Sequence, residues 1–261
     1  NTLFIDNSIV SNNSGDNGAG GIYFESDDTS HITISNSTIS NNSAVGGNGG
    51  GIYSGSDYSF IEVNYSTIAN NTAENGGGIG SNTRELTSIK INNSTVSENH
   101  ATSRTGGGIR ARSSEKSEVI INNSTIYGNS SVTEGAGVYS YANSNSAAVT
   151  VINSTITNNS SIDNYAGGIY CNSRKNTSTT TLQSSIVTLN GDEHIYNKTS
   201  PTIISLGNNI LSDTVMSGSM ASDSLGIDSA KLNLGPIQNN GGLTETVLPI
   251  YPSVAIDNGN A

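Results

Sequence analysis

The sequence repeats one short phrase at intervals of about thirty residues, and this repeat limits the possible folds more than any other feature. Each phrase holds a Ser, an Ile or Val two residues later, and an Asn three residues after that, as in Ser124, Ile126 and Asn129. The closing Asn recurs at spacings of 28 to 31 residues, at Asn13, Asn42, Asn71, Asn99, Asn129, Asn159 and Asn190. Periods of roughly 20 to 50 residues indicate stacked structural repeats. The chain is therefore expected to build a solenoid of equivalent units.

Each repeat contains three segments with the character of a β-strand. Alternating apolar residues mark the phrase itself and also an upstream pair such as Ile32 and Ile34, and alternation is typical of half-buried strands. The third segment is a Gly-rich phrase that ends in Ile or Val, such as Gly49 to Ile52. Helices are not expected, because a 3.6-residue period is absent and Gly, Asn, Ser and Thr are abundant. The prediction is an all-β fold, a right-handed parallel β-helix with about 29–30 residues and three short strands per rung.

In a parallel β-helix, equivalent positions of successive rungs lie ~4.8 Å apart, so each column of the repeat becomes a ladder of touching side chains. The Ile and Val columns are expected to fill the interior. The seven repeated Asn residues are expected to hydrogen-bond to one another and to turn backbone as a structural ladder. The repeats are assigned to residues 1–200, and residues 201–261 to an irregular last rung and a C-terminal capping tail.

Composition excludes several classes of protein. The net charge of −11 disfavours nucleic acid and anionic membranes as partners, and no apolar run reaches the ~18 residues of a membrane-spanning helix. The single cysteine, Cys171, excludes an internal disulfide framework and is expected to be a buried, inert thiol. His31, His100 and His194 occupy different columns of the repeat, so no metal site is predicted. No cofactor site is predicted either.

Two parts of the sequence resemble known families. The Gly-Gly-Gly-Ile phrases, paired with phrases such as Ile39 to Asn42, resemble the repeats of polymorphic outer membrane proteins, which are surface β-helices linked to adhesion. The segments Ser205 to Asp213 and Leu234 to Asn260 resemble the C-terminal region of bacterial β-helix proteins with a choice-of-anchor Q domain. These resemblances imply an exported protein that is extracellular or attached to a cell surface.

One exterior column is the candidate binding face. The residue after each Gly-rich phrase should point outward, and so should Arg112, which has the same parity as Arg110. Together they give a face for glycans or a partner formed by Tyr23, Tyr53, Arg110, Arg112, Tyr139 and Tyr170. Tyrosines in such a column either stack on sugar rings or cover the sheet beneath a loop, and both interpretations stay open. Arg110 and Arg112 are expected to be solvated and to pair with nearby Glu residues, or to contact an anionic glycan. The Glu residues considered are Glu85, Glu98, Glu115 and Glu118.

Two functions are consistent with these features. The first hypothesis is a non-enzymatic extracellular β-solenoid, a structural or adhesive surface protein or fibre component. The alternative is a carbohydrate-active β-helix enzyme, a polysaccharide lyase or hydrolase, which needs convergent carboxylates or carboxylates beside a basic residue. Asp57, Glu62 and Glu85 share no strand column, so no catalytic residue is predicted. A groove that gathers three carboxylates, or two with Arg110 or Arg112, would favour the enzyme.

A partner of the same chain is also considered. Leu3 and Ile5 already match Ile32 and Ile34, so the sequence enters the repeat at once. The open end of a β-helix exposes unpaired strand edges that natural proteins usually cover. We expect this end to be covered either by further chain or by head-to-tail contact with another copy, through the segment Leu234 to Asn260.

Overall fold

A computed structural model describes residues 1–163, 165–191, 194–214 and 216–256 of the chain. Four parallel sheets run along the rod. Sheet 1 contains β1 (Thr2–Asp6), β5 (Thr29–Ser35), β9 (Tyr58–Asn64), β13 (Leu86–Asn92), β17 (Lys116–Asn122), β21 (Ala147–Ile152), β25 (Ser178–Gln183) and β28 (Pro201–Ser205). Sheet 2 contains β2 (Ile9–Ser11), β6 (Thr38–Ser40), β10 (Thr67–Ala69), β14 (Thr95–Ser97), β18 (Thr125–Tyr127), β22 (Thr155–Thr157), β26 (Ile186–Thr188) and β29 (Ile210–Leu211).

The other two parallel sheets complete each rung. Sheet 3 has two-residue strands: β3 (Ser14–Gly15), β7 (Ser43–Ala44), β11 (Thr72–Ala73), β15 (His100–Ala101), β19 (Ser130–Ser131) and β23 (Ser160–Ser161). Sheet 4 contains β4 (Ile22–Phe24), β8 (Ile52–Ser54), β12 (Ile79–Thr83), β16 (Ile109–Ser113), β20 (Val138–Ala142), β24 (Ile169–Ser173) and β27 (Ile195–Asn197). Sheets 1, 2 and 4 are the three predicted strands of each rung, and the prediction of a parallel β-helix is confirmed. The very short strands of sheet 3 were not predicted.

The apolar interior follows directly from the alternation in the sequence. Ile32 pairs with Ile61 and Ile34 pairs with Val63 in parallel register, and these four side chains are buried. The same register continues from rung to rung, so a single apolar cluster extends from Ile22 to Met216. Stacked β-branched residues suit this arrangement because each contacts its equivalent in the rungs on both sides.

Two corners of each rung turn through a left-handed residue that is followed by a hydrogen-bonding side chain. At the corner between sheets 1 and 2, Asn93 has φ 49° and Ser94 follows it. The Ser94 hydroxyl donates to the carbonyl of Asn92 at 2.7 Å and accepts from the main-chain N–H of Ser66 at 3.0 Å. The repeated Asn-Ser pair therefore suits the corner, since Asn tolerates positive φ better than most residues, although Tyr65 and Ser184 take the same conformation in two rungs.

The corner between sheets 2 and 3 carries the repeated Asn residues. The Asn99 carboxamide oxygen accepts from the main-chain N–H and from Nδ2 of Asn71, both at 3.0 Å. Its Nδ2 donates to Oδ1 of Asn129 and to the carbonyl of Ile68, both at 2.9 Å. Equivalent side-chain bonds connect the column from Asn13 to Asn190. We call this column the Asn ladder.

The Gly-rich phrases pack directly against the Asn ladder. A Cβ atom at Gly78 would lie 2.6 Å from the carbonyl oxygen of Gly108 and 3.0 Å from the carboxamide of Asn99. Real Cβ atoms do not approach carbonyl oxygens so closely, so only Gly fits between the ladder and the next rung. The Gly-rich and Asn phrases recur together because the Asn ladder leaves room only for Gly at this position.

Past the regular rungs, the chain closes the ladders and then returns along the rod. Nδ1 of His194 accepts the main-chain N–H of Asn190 at 3.1 Å, in the place that an Asn oxygen takes in earlier rungs. Helix α1 (Ser229–Leu232) and an antiparallel pair, β30 (Leu234–Gln238) with β31 (Thr246–Pro249), follow. The carbonyl of Glu245 accepts a hydrogen bond from the Thr95 hydroxyl on sheet 2. Residues 257–260, at the end of the segment considered for head-to-tail contact, lie outside the described residues.

No helix within the described ranges is long and apolar enough to cross a membrane.

Candidate functional site

A large cavity of the described surface lies over the corner between sheets 4 and 1. It has a volume of about 620 Å³ and takes its walls from four successive rungs. We call it the corner groove and define it by Glu25, Asp27, Asp57, Asn82, Arg84 and Arg112, which all line it. Tyr53 contributes an aromatic wall. A groove of this size with hydrogen-bonding walls suits a polar ligand of several linked units.

Most charged groups of the corner groove already have a partner. Nη1 of Arg84 lies 3.2 Å from Oδ1 of Asp57 in an ion pair. Nη1 of Arg112 donates to Oδ1 of Asn82 at 3.1 Å, and its guanidinium carbon lies 5.8 Å from the centre of the Tyr141 ring. These contacts orient the side chains across neighbouring rungs and leave further donors and acceptors available to a ligand.

Glu25 is held in place by Tyr23, which lies on sheet 4 next to the corner groove. The Tyr23 hydroxyl donates to Oε2 of Glu25. This hydrogen bond, with burial and the charge of Glu25 as smaller contributions, raises the pKa of Tyr23 to about 12. The phenol therefore stays protonated at neutral pH and holds the carboxylate at the rim of the groove.

Sequence reasoning did not find this convergence of carboxylates. Asp27 and Asp57 are not predicted as catalytic residues because they share no strand column, and no role is assigned to Glu25. These residues stand in the turns that follow the strands of sheet 4, where the repeat is most variable. Corner positions meet across rungs just as strand positions do, so aligning the turns would have brought the carboxylates together. No group of His, Cys, Asp and Glu among the described residues is arranged to hold a metal ion.

The predicted exterior column is present on sheet 4, but most of it is buried. Tyr23 and Tyr53 stack with ring centres 5.6 Å apart, and Tyr139 and Tyr170 stack at 5.2 Å. Tyr23 is 53% exposed, whereas Tyr53, Tyr139 and Tyr170 are at most 9% exposed. For these three residues, burial favours the interpretation that the tyrosines cover the sheet beneath a loop. They cover the sheet through mutual stacking and contact with the loops that precede sheet 4.

Arg110 also differs from the prediction, because it is buried instead of solvated. Gly80 precedes it and Tyr139 follows it in the column. Nε of Arg110 donates to the Thr105 hydroxyl at 3.1 Å, and Nη1 is buried without a hydrogen-bond partner within the described structure. Burial lowers the pKa of Arg110 to about 10, which leaves it cationic at neutral pH.

The predicted pairing of Arg110 and Arg112 with Glu85, Glu98, Glu115 or Glu118 does not occur within the described ranges, where the ion pairs are Arg84–Asp57 and Arg104–Glu74. Oε2 of Glu115 instead accepts from Nδ2 of Asn145 at 2.7 Å. The Arg and Glu side chains of this region thus form separate contacts, each with a residue of a neighbouring rung.

Cys171 is buried inside the rod, as predicted from its column. Ser54, Ser81, Ala111 and Ser140, the other members of that column, are fully buried as well. Burial raises the pKa of the Cys171 thiol to about 12, so it remains a protonated, unreactive group at neutral pH.

Comparison with known proteins identifies the fold family. No curated protein and no solved structure shows a significant match to the sequence. A family model described as the right handed beta helix region matches residues 1–211. This match covers the rungs that carry the Asn ladder and the corner groove, and it agrees with the predicted handedness. The chain belongs to the right-handed β-helix family.

Proposed function

We propose that this protein is a non-enzymatic extracellular β-solenoid that acts as a structural or adhesive element of a cell surface, and that the corner groove is its glycan contact. The observation that carries the proposal is the groove itself, where carboxylate, amide and guanidinium groups of four successive rungs line one cavity. Such groups form hydrogen bonds with sugar hydroxyls. The sequence resemblance to surface β-helices supports the location.

The charges favour a neutral glycan. The chain has a net charge of −11, so long-range electrostatics oppose the approach of an acidic polymer. Within the groove, Asp57 neutralises Arg84, while Glu25 and Asp27 add negative charge to the cavity that Arg112 also lines. An acidic glycan would have to displace these contacts, whereas a neutral sugar can bind to both the carboxylates and the guanidinium groups.

Calorimetric titration of the intact chain tests this proposal. The neutral probes are cello-, xylo- and chito-oligosaccharides, and the acidic probes are oligogalacturonides. We expect binding of at least one neutral series, weakened about tenfold by Arg112→Ala. Arg174→Ala is the matched control, since Arg174 is exposed, lies outside the groove and contacts Asn143 one rung earlier as Arg112 contacts Asn82. Failure of every probe, or equal effects of the two variants, would contradict the proposal.

A carbohydrate-active enzyme is the second candidate, because Glu25, Asp27 and Asp57 meet Arg84 and Arg112 in one groove. A groove with three carboxylates, or with two carboxylates and Arg112, is the arrangement expected to favour an enzyme. In hydrolysis, one carboxyl group protonates the glycosidic oxygen and a second activates water or attacks the anomeric carbon. In elimination, a basic residue removes a proton from the sugar ring.

Incubation with a polysaccharide panel separates the two functions. New reducing ends without unsaturation would indicate a hydrolase, and new reducing ends with unsaturated products a lyase; either activity should disappear in Glu25→Gln or Asp57→Asn. Under the adhesive function we expect glycan binding without new reducing ends or unsaturated products. Turnover that these substitutions abolish would replace the adhesive function with the enzymatic one.

A further inference from the structure

Sheet 1 carries a second cavity on its outer face, in the same rungs as the corner groove. It has a volume of about 200 Å³, and its side-chain walls are His31, Thr33, Phe60, Glu62, Ser88 and Lys90. We call this cavity the sheet-1 notch. Its residues were not selected as a site from the sequence, because they follow no single repeated phrase.

The notch results from one small residue in an aromatic column. His31, Phe60, Ser88 and Glu118 occupy equivalent positions of four successive rungs. The imidazole of His31 stacks on one face of the Phe60 ring, with centres 4.8 Å apart and planes 9° from parallel. On the other side of Phe60 the next rung provides only Ser88, whose hydroxyl is oriented by Oε2 of Glu118 at 3.4 Å. Ser88 is only 5% exposed and forms the floor of the notch, while the partly exposed Phe60 ring forms one of its sides.

The neighbouring column supplies polar groups to the same space. Thr33, Glu62 and Lys90 stand in successive rungs and line the notch. Oε1 of Glu62 accepts from Nδ2 of Asn92 at 3.4 Å, which directs the carboxylate along the sheet. Neither of the two ion pairs in the described part of the chain involves Glu62 or Lys90. An aromatic face bordered by a carboxylate, an ammonium group and hydroxyls matches the two sides of a pyranose ring, one apolar and one bearing hydroxyls.

The two cavities are close enough to serve one ligand. Asp57 lines the corner groove and Phe60 lines the notch, and only two residues stand between them, so their Cα atoms are at most ~11 Å apart. Both cavities involve the rungs of β5, β9 and β13. A glycan lying across the rod, along the strand direction, would pass from one cavity into the other.

We propose that the sheet-1 notch binds a pyranose unit of the same neutral glycan chain that occupies the corner groove. This inference rests on the proposed glycan contact and adds a second subsite to it. Phe60 provides the stacking surface, Glu62 and Lys90 bind ring hydroxyls, and Ser88 keeps the site open. Linking two subsites through one chain raises affinity without any change at the first subsite.

The test compares short and long oligosaccharides. The chain contains no Trp, so Phe60→Trp places a single indole fluorophore at the notch. Cello-, xylo- and chito-oligosaccharides of two to six units serve as neutral probes, and oligogalacturonides as acidic ones. For the series that binds, we expect the hexasaccharide to bind at least about tenfold more tightly than the disaccharide and to change the indole emission.

Two notch variants and one control complete the experiment. Ser88→Leu fills the notch, and Lys90→Ala removes an exposed polar group without entering the sheet interior. Both should reduce the gain of the hexasaccharide over the disaccharide, whereas Ala148→Leu, two rungs further in the column of Ser88, should keep it. Melting curves identify a Ser88→Leu chain that fails to fold, and Lys90→Ala then decides.

The possible outcomes are distinct. If Arg112→Ala weakens binding while the length-dependent gain survives in both notch variants, the notch inference is wrong and the proposed glycan contact stands. If no probe binds the unsubstituted chain, both are wrong. If only oligogalacturonides bind, the assignment to a neutral glycan is wrong. Loss of the gain in the notch variants alone supports the second subsite.

Discussion

The Asn ladder and a second column, on sheet 4, are both built from equivalent positions one rung apart, yet they differ in how far the residue varies. We call the second column the tyrosine column, and its members are Tyr23, Tyr53, Gly80, Arg110, Tyr139 and Tyr170. The ladder keeps Asn in seven successive rungs. The column changes from tyrosine to Gly80, to Arg110 and back to tyrosine. The ladder lies at a corner where the backbone fixes the partners, whereas the column lies on an outer face where loops of different length can accommodate different side chains.

Hydrogen-bond saturation explains why the ladder does not vary. A carboxamide offers two donors and two acceptor lone pairs, and the Asn99 side chain uses all four. A shorter or longer side chain would leave a buried partner unpaired in each neighbouring rung. In the tyrosine column the contacts are mostly stacking between rings, which tolerates exchange more easily.

Asn99→Leu should therefore have the largest effect on stability. It removes partners from two buried groups of Asn71, from the Ile68 carbonyl and from the Asn129 carboxamide. We expect a loss of about 3 kcal/mol or more in the free energy of unfolding, measured by denaturant titration. The control is Asn13→Leu at the partly exposed end of the ladder, which should cost about 1 kcal/mol. Equal losses in the two variants would mean that ladder position does not matter.

Gly80→Ala should have the next largest effect, because at Gly80 the tyrosine column has no room for a side chain. A Cβ atom at Gly80 would lie 1.6 Å from the carbonyl oxygen of Asn48 in the loop of the preceding rung. We expect a loss of about 2 kcal/mol from displacement of that loop. Gly242→Ala, where the added Cβ meets no atom closer than 3.6 Å, should change stability by less than about 0.5 kcal/mol. A Gly80→Ala protein as stable as this control would show that the loop yields freely.

Arg110→Met tests whether the same column becomes more stable when a buried charge is removed from it. The substitution removes a buried cation with an unpaired Nη1 and keeps a side chain of similar length. We expect unchanged stability or a gain of up to about 2 kcal/mol, since unpaired buried charges are costly. Arg112→Met, on the exposed side, should stay within about 0.5 kcal/mol of the original. A loss above about 1 kcal/mol in Arg110→Met would show that the guanidinium group stabilises the column.

The parts of the molecule that were predictable from sequence are those in which one interaction decides the residue. The interior register of Ile32 with Ile61 follows from alternation, and the ladder position of Asn99 follows from the period. The burial of Tyr53 and Arg110 was not predictable from alternation, because an outward side chain can still be covered by a loop whose path the repeat does not encode. The corner groove was missed for a related reason, since its carboxylates stand in turns.

The smallest expected effect is a pH dependence at the end of the ladder, where His194 takes the acceptor role that Asn has elsewhere. Nδ1 of His194 accepts the Asn190 N–H, so this nitrogen must be unprotonated in the fold. Burial lowers the pKa of His194, against a smaller opposing influence from Asp213. The unfolded chain then binds a proton more readily than the folded one, so stability is complete above the ordinary His pKa of ~6.5 and falls as the pH drops below it. Burial raises the pKa of Asp213, so protonation of this carboxyl group acts in the opposite direction as the pH falls.

His194→Asn separates this contribution from the other titrating groups. An Asn at this position can offer its Oδ1 to the Asn190 N–H, as Asn129 does for Asn99. Between pH 7.5 and 5.5 we expect the melting temperature of the original chain to fall and that of His194→Asn to fall less. The variant should match or exceed the original at the acidic end, because its acceptor cannot be protonated. Identical slopes of melting temperature against pH in the two proteins would show that the His194 ring does not accept the Asn190 N–H. The Asn ladder would then end at Asn190, without His194 as its last acceptor.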